Sequence, residues 1–147
     1  MLVYSKITKE TEVSRDEIKA YTVFLYQHLE QYGDTEVDIA KAIAYALGHD
    51  NKPGGFIMLA HTTNQNIVGI GVLLDTLMEG FIPEHILVYL AIDSSVRGQG
   101  IGGKMLDVIQ QEVKGNIALH VDNDNPAQDL YERKGFEKKY IEMRWIK

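Results

Sequence analysis

Apolar residues recur along this chain at two spacings, and the switches between them mark out its elements. Residues 2–7 (LVYSKI) read as a short strand. Ile18, Tyr21, Leu25, His28, Leu29 and Tyr32 then fall at helical spacing. That run opens on Ser14 and Glu17, the spacing of a capping box in which each side chain satisfies a free backbone donor of the other, and Gly33 stops it. Thr35 and Asp38 open a second helix carrying Ile39, Ile43 and Leu47, closed by Gly48. After the turn cluster HDNKPGG (49–55), the runs FIMLAH (56–61) and IVGIGVLL (67–74) are joined by the polar TTNQN and predict a hairpin. Residues 85–92 are apolar on both faces, as a central, fully covered strand would be.

The segment DSSVRGQGIGG leads into a helix with apolar positions Ile101, Met105, Val108, Ile109 and Val113, ended by Gly115. NIALHV (116–121) predicts another buried strand. Asn125 as N-cap and Pro126 in the first turn start a last helix. Arg133 and Lys134 complement its C-terminal dipole before Gly135 stops it. FEKKYIEMRWI (136–146) reads as a closing strand. The order is βααβββαβαβ. The strands at 86–92 and 116–121, joined by a helix, form a βαβ unit and should be parallel, whereas the earlier strands suit an antiparallel meander. The expectation is one α/β domain over 1–147, with a mixed, mostly antiparallel sheet and a central parallel pair.

Composition narrows the chemistry. With no cysteine, disulfides, thiolate metal sites and a cysteine nucleophile are excluded, and a cytoplasmic location is expected. The longest apolar run, Ile86–Ile92, is far short of the ~20 residues that span a bilayer, so no membrane partner is expected. MLVYSKITKE shows no signal-peptide pattern. A net charge of −6 argues against nucleic acid as a partner. His28 and His49 read as surface or edge histidines, and His61 and His120 as packed strand residues. His120, Asp122 and Asp124 superficially resemble a metal cluster, but a strand end running into a polar turn accounts for them, so no metal is expected.

Gly98, Gly100, Gly102 and Gly103 lie within six residues between a strand and a helix. Glycine costs up to ~1 kcal/mol in a helix interior relative to alanine, so helix propensity does not explain them. Either they make a tight turn, or they let bare N–H groups at a helix N-terminus wrap a phosphate. Gly98-x-Gly100-x-x-Gly103 matches a dinucleotide fingerprint, but five residues separate it from the strand end. Gly98-x4-Gly103-Lys104 matches the front of a P-loop, but Met105 stands where a hydroxyl should hold Mg²⁺.

A third pattern fits more of the chain. Arg97-x-x-Gly100-x-Gly102, after a strand ending LAID, resembles the acetyl-CoA signature of the GCN5-related N-acetyltransferase (GNAT) family. Asn125-Pro126-Ala127 followed by Leu130-Tyr131-Glu132-Arg133-Lys134-Gly135-Phe136 resembles that family's downstream motif. The resemblance covers roughly residues 85–136 and implies transfer of an acetyl group from acetyl-CoA to an amine. It implies that the backbone of Leu90, Ala91 and Ile92 pairs with the pantetheine arm, a form of strand addition by a ligand. The amides of Arg97, Gly98, Gln99, Gly100, Ile101, Gly102 and Gly103 would cradle the pyrophosphate, with Lys104 beside a phosphate. Asn125 would help hold the arm, and Tyr131 would protonate the departing thiolate.

An alkyl amine has a reference pKa near ~10.4, so keeping it neutral at pH 7 costs ~4.6 kcal/mol and calls for a base. Some family members carry Glu or His on the central strand; here the matching positions are Val88 and Ile86, which cannot act. Glu84 is taken as the candidate base, with His85, Tyr89 and Asp75 as neighbours able to act directly or through water. Two rivals stand beside the enzyme: a non-catalytic acyl-CoA sensor, and a nucleotide-binding protein of P-loop or dinucleotide type. The acceptor is expected to be a small-molecule or peptide amine. The acidic Asp75, Glu79 and Glu84 faintly favour a cationic one, and the closing strand could pair across a homodimer.

Overall fold

The computed structural model describes all 147 residues, and its sheet has five strands in the order β1-β2-β3-β4-β5. These are β1 (Leu2–Ile7), β2 (Gly55–Thr62), β3 (Ile67–Asp75), β4 (His85–Ile92) and β5 (Ile117–Ala118). β1 to β4 are antiparallel neighbours, and β4 and β5 are parallel. The helices are α1 (Arg15–Leu29), α2 (Glu36–Ala46), α3 (Ile101–Glu112) and α4 (Ala127–Arg133). No helix is long and apolar enough to cross a membrane.

Local chemistry sets the helix ends where the sequence places them. Ser14 Oγ accepts from the Glu17 amide and Glu17 Oε1 from the Ser14 amide, both at 3.0 Å. Thr35 Oγ1 accepts from the Asp38 amide. α1 continues as a 3-10 turn, Glu30–Tyr32, before Gly33. The two helical layers sandwich the sheet. On one face Tyr21, Leu25, Ile39 and Ile43 of α1 and α2 pack on Ile57, Leu59, Ile70, Val72, Tyr89 and Ala91. On the other, Ile101, Met105, Leu106 and Ile109 of α3 pack on Phe56, Met58, Ala60, Leu73 and Leu87. Met105 and Ile109 seat α3 on β3 at Gly69 and Gly71, where an added Cβ would run into the Met105 sulfur and the Ile109 Cδ1.

The structure departs from the sequence expectation in three stretches. β4 has buried residues on both faces, Leu87 beneath α3 and Tyr89 and Ala91 beneath α1 and α2, but Ile86, Val88, Leu90 and Ile92 are only partly buried, so the strand is not fully covered. The expected strand 116–121 pairs only at His85↔Ile117 and Ile86↔Ala118. The segment 136–146 forms no strand; Tyr140, Ile141, Met143, Trp145 and Ile146 are all more than three-quarters exposed. The last two share a cause. β5 supplies a ladder of only two residues, so a strand-like pattern after α4 finds no edge to extend. The observed order is therefore βααβββαβα.

Two histidines also differ from expectation. His28 is buried, 8% exposed, because its position three residues after Leu25 places it on the apolar stripe of α1. His120 is exposed, since residues 119–121 have left the sheet. His61 is half-buried with Ser5 Oγ 2.8 Å from its Nε2, and His49 is exposed, as expected.

Candidate active site in the opened β4–β5 pair

A bulge opens the sheet. Val72 pairs with Tyr89 and Leu73 with Leu87, so Val88 has no partner on β3. Such an extra residue bends its strand and sharpens the twist, and beyond Ile86 and Ala118 the parallel ladder stops. The bulge also changes which backbone groups face where. The Asp93 amide donates to the Val68 carbonyl at 2.9 Å. Alternation along an antiparallel ladder then commits Ala91 and Tyr89 to β3 and turns the N–H and C=O groups of Leu90 and Ile92 into the opening. Of the three residues expected to line it, Leu90 and Ile92 offer free backbone groups, and Ala91 anchors the strand from behind.

At the C-terminal end of β4 lies the glycine turn. Asp93 Oδ1 accepts from the Ser95 amide and hydroxyl, which holds its carboxyl below the usual range and shapes the 3-10 turn Ser94–Val96. Gly98 and Gly100 have φ of +83° and +77°, a region costly for any residue with a Cβ, and nothing stands within 4 Å of where that Cβ would be. The amides of Gly98, Gln99 and Gly100 donate to nothing in the chain. Those of Ile101, Gly102 and Gly103 are the free first-turn donors of α3, and the Ile101 side chain is buried beneath them. Positive dipole ends and bare N–H groups thus converge where an anion would be stabilised.

Arg97 acts through its side chain in the other direction. It donates to the His28 carbonyl at 2.6 Å and to Glu30 Oε1 at 2.9 Å, while His28 Nδ1 accepts from the Ser94 amide at 3.1 Å. The end of α1 is therefore clasped to the turn. This role of His28 escaped the sequence reading, although the residue's place in the helical stripe was the available signal.

The remaining expected residues divide between the two ends of the opening. Asn125 Oδ1 caps α4 by accepting from the Ala127 amide at 2.9 Å, which leaves its NH₂ free. Tyr131 lies in the α3–α4 layer with its ring edge-on to Phe136, centroids 5.8 Å apart. Burial alone pushes its phenol up to about 12, so it keeps its proton at neutral pH. Glu84 sits at the closed end. Its Oε1 accepts from the Asn116 amide at 2.9 Å, which holds its pKa below the ordinary carboxylate value, and its side chain packs on Gly115. It clasps the start of β5 to β4 and lies before the point where the strands part. Asp75 Oδ1 is 2.9 Å from His85 Nδ1 at the same end. No three His, Asp or Glu side chains come close enough together to hold a metal ion.

The acetyltransferase (GNAT) domain profile matches residues 49–138, more than half of the chain. The chain belongs to the GNAT acetyltransferase family. No curated protein matches its sequence. Among solved structures it is similar in fold to a GNAT-family acetyltransferase of Streptococcus pneumoniae (TM-score 0.65, 20% identity, covering 100% of this chain and 98% of that one). It is also similar to an aminoglycoside N-acetyltransferase in complex with CoA (TM-score 0.66, 12% identity, covering 100% and 96%). A third likeness is to a chain in the NatC complex bound to Gag peptide and CoA (TM-score 0.69, 19% identity, covering 95% and 86%). At these identities the likeness is one of fold. This GNAT chain has a bulged, parted central pair and a donor-rich turn, and the open part of β4, from Val88 to Ile92, carries no Glu or His.

Proposed function

We propose that the protein transfers the acetyl group of acetyl-CoA to a primary amine by direct attack in a ternary complex. The observation that carries this reading is the parted β4–β5 pair whose free edge, at Leu90 and Ile92, runs into the donor-rich turn Gly98–Gly103. An extended amide-bearing arm matches the first feature and a pyrophosphate the second. Both belong to CoA, whereas a nucleotide alone would use only the turn.

In this mechanism the turn amides and the α3 N-terminus hold the pyrophosphate, and the free backbone groups of Leu90 and Ile92 orient the arm. Asn125 steadies it through its NH₂. The neutral amine attacks the thioester carbonyl, the C–N bond forms as the C–S bond breaks, and the nitrogen sheds its extra proton to solvent, which afterwards restores the proton of Tyr131. Tyr131, protonated because burial raises its pKa to about 12, then gives its proton to the leaving sulfur. Without cysteine, no thiol acyl-enzyme forms on the way. Glu84, committed to the Asn116 amide, is better placed to hold β5 than to accept a proton in the opening. The cysteine-free composition suits the cytoplasm.

The test is Tyr131→Phe, followed by calorimetric titration with acetyl-CoA and by thiol release in the presence of amines. General acid help of this kind is worth ~10²–10⁴ in rate. The expected result is a fall in kcat of that order with acetyl-CoA affinity within about twofold of wild type. Acetyl-CoA binding without amine-dependent thiol release in the wild type would instead identify a sensor. Binding of ATP or NAD without acetyl-CoA would overturn both readings.

A further inference from the structure

We propose that Asp34, held in place by Tyr89, docks the acceptor's amino group as its ammonium ion, which gives up a proton to solvent before the neutral amine attacks, so that the acceptor is an alkylammonium compound in solution. This rests on the acetyltransferase reading above and adds to it the substrate's charge and the residue that reads it.

The segment between α1 and α2 bridges the parted strands. At its start it is fixed by Arg97, which holds the His28 carbonyl and Glu30. The Tyr32 hydroxyl donates to the Asp124 carbonyl at 3.2 Å, on the β5 side. Two residues on, Asp34 Oδ2 accepts from the Tyr89 hydroxyl at 2.5 Å, on β4. One short stretch of chain therefore holds both sides of the opening, on the face of the sheet that carries α1 and α2. α3 and Tyr131 occupy the other face.

Tyr89 directly follows the bulge residue Val88 and directly precedes Leu90, whose backbone faces the opening. Tyr89 is 7% exposed, so the Asp34 carboxylate is tethered from the core while its own residue remains exposed. Burial first, and then Asp34, push the Tyr89 phenol above its ordinary range, so it stays a donor and orients the carboxylate.

The carboxylate has no evident task within the chain. Thr35 already caps α2. Asp34 takes part in no ion pair, whereas Arg97 is paired with Glu30 and Lys41 with Asp38 at 3.8 Å. Asp34 Oδ1 forms no hydrogen bond or ion pair, and Asp38 adds a second negative charge near Tyr89. An exposed carboxylate with one oxygen fixed and the other free, beside the opening, is complementary to a primary ammonium group. A protein of net charge −6 also draws such a cation inward.

The experiment measures thiol release from acetyl-CoA with butylamine, lysine methyl ester and a short peptide bearing a free N-terminus. Methoxyamine, uncharged at neutral pH, is the comparison. Wild type, Asp34→Asn and Tyr89→Phe are tested, with acetyl-CoA affinity measured by calorimetry. The expected result is turnover of a cationic amine, with its KM raised about tenfold or more by Asp34→Asn and less by Tyr89→Phe. Acetyl-CoA affinity and the KM for methoxyamine should be unmoved. A residue with only a structural role would lower Tm and leave the KM ratio of the two amine types alone. Equal KM in wild type and Asp34→Asn overturns the proposal. So does a preference for methoxyamine, or a wild type that binds acetyl-CoA and acetylates no cationic amine. Absence of acetyl-CoA binding would overturn the acetyltransferase reading itself, and this proposal with it.

Discussion

Gly100→Ala separates backbone conformation from every other reason for a glycine in the turn. Gly100 has φ of +77° and open space where a Cβ would go, so the methyl group meets no neighbour and only the dihedral is strained. Holding an L-residue there costs roughly 1–2 kcal/mol. The lower entropy of the unfolded alanine chain returns about 0.4–1 kcal/mol of stability, leaving a net loss near ~1 kcal/mol. The folded turn can also relax, and its amides then leave the positions a pyrophosphate needs. Restoring them on binding would cost up to the full strain, about 5- to 30-fold in Kd. Gly103→Ala is the control: its φ is not positive and its Cβ would lie 3.2 Å from Lys134 Cε, the far part of a flexible chain that can move aside. Calorimetry gives Kd for acetyl-CoA, and urea denaturation gives stability. Gly100→Ala should weaken binding several-fold or more with a modest stability loss, and Gly103→Ala should change Kd by less than about twofold. Equal effects of the two, or a Gly100→Ala protein with wild-type affinity, would refute the account of the turn.

Two further outcomes follow from the geometry. Glu84 has a folded-state pKa below its ordinary value, so its contribution is present above the unfolded pKa near 4.5 and is lost as pH falls through the folded value. Chemical denaturation of Glu84→Gln should therefore show a deficit against wild type at neutral pH that shrinks on acidification; a deficit independent of pH would contradict the clasp. Residues 140–147 bury almost none of their large apolar side chains. Deleting them should leave the Tm of the monomer within about 2 °C, because little apolar area is lost from the core; a fall of ten degrees in a differential scanning trace would show that the tail packs on the body.

How far the sequence reached depended on whether an element's cause was local. Ser14 with Glu17 and Thr35 with Asp38 act within one helical turn, and their hydrogen bonds form as the spacing implies. The glycines at 98 and 100 announced a special backbone, and both have positive φ. The site was legible as two motifs, but not as an arrangement. Glu84 looked like a base because its place on the strand was visible and its bond to the Asn116 amide was not. Asp34 carried no signal at all, since a lone aspartate before a helix cap reads as turn chemistry.

The chain by itself determined the helices, the hairpin, the parallel pair and the special backbone of the glycine turn, because these follow from periodicity, capping and steric permission over a few residues. Only the tertiary structure decided that β4 bulges at Val88, that β5 therefore shortens to two residues, and that the segment 136–146 is left without a ladder. A strand's pattern records which side chains can be buried, not whether a neighbouring strand arrives to pair with it. The tether from Tyr89 to Asp34 likewise joins residues 55 positions apart, and such a contact exists only once the sheet and the helical layer have packed.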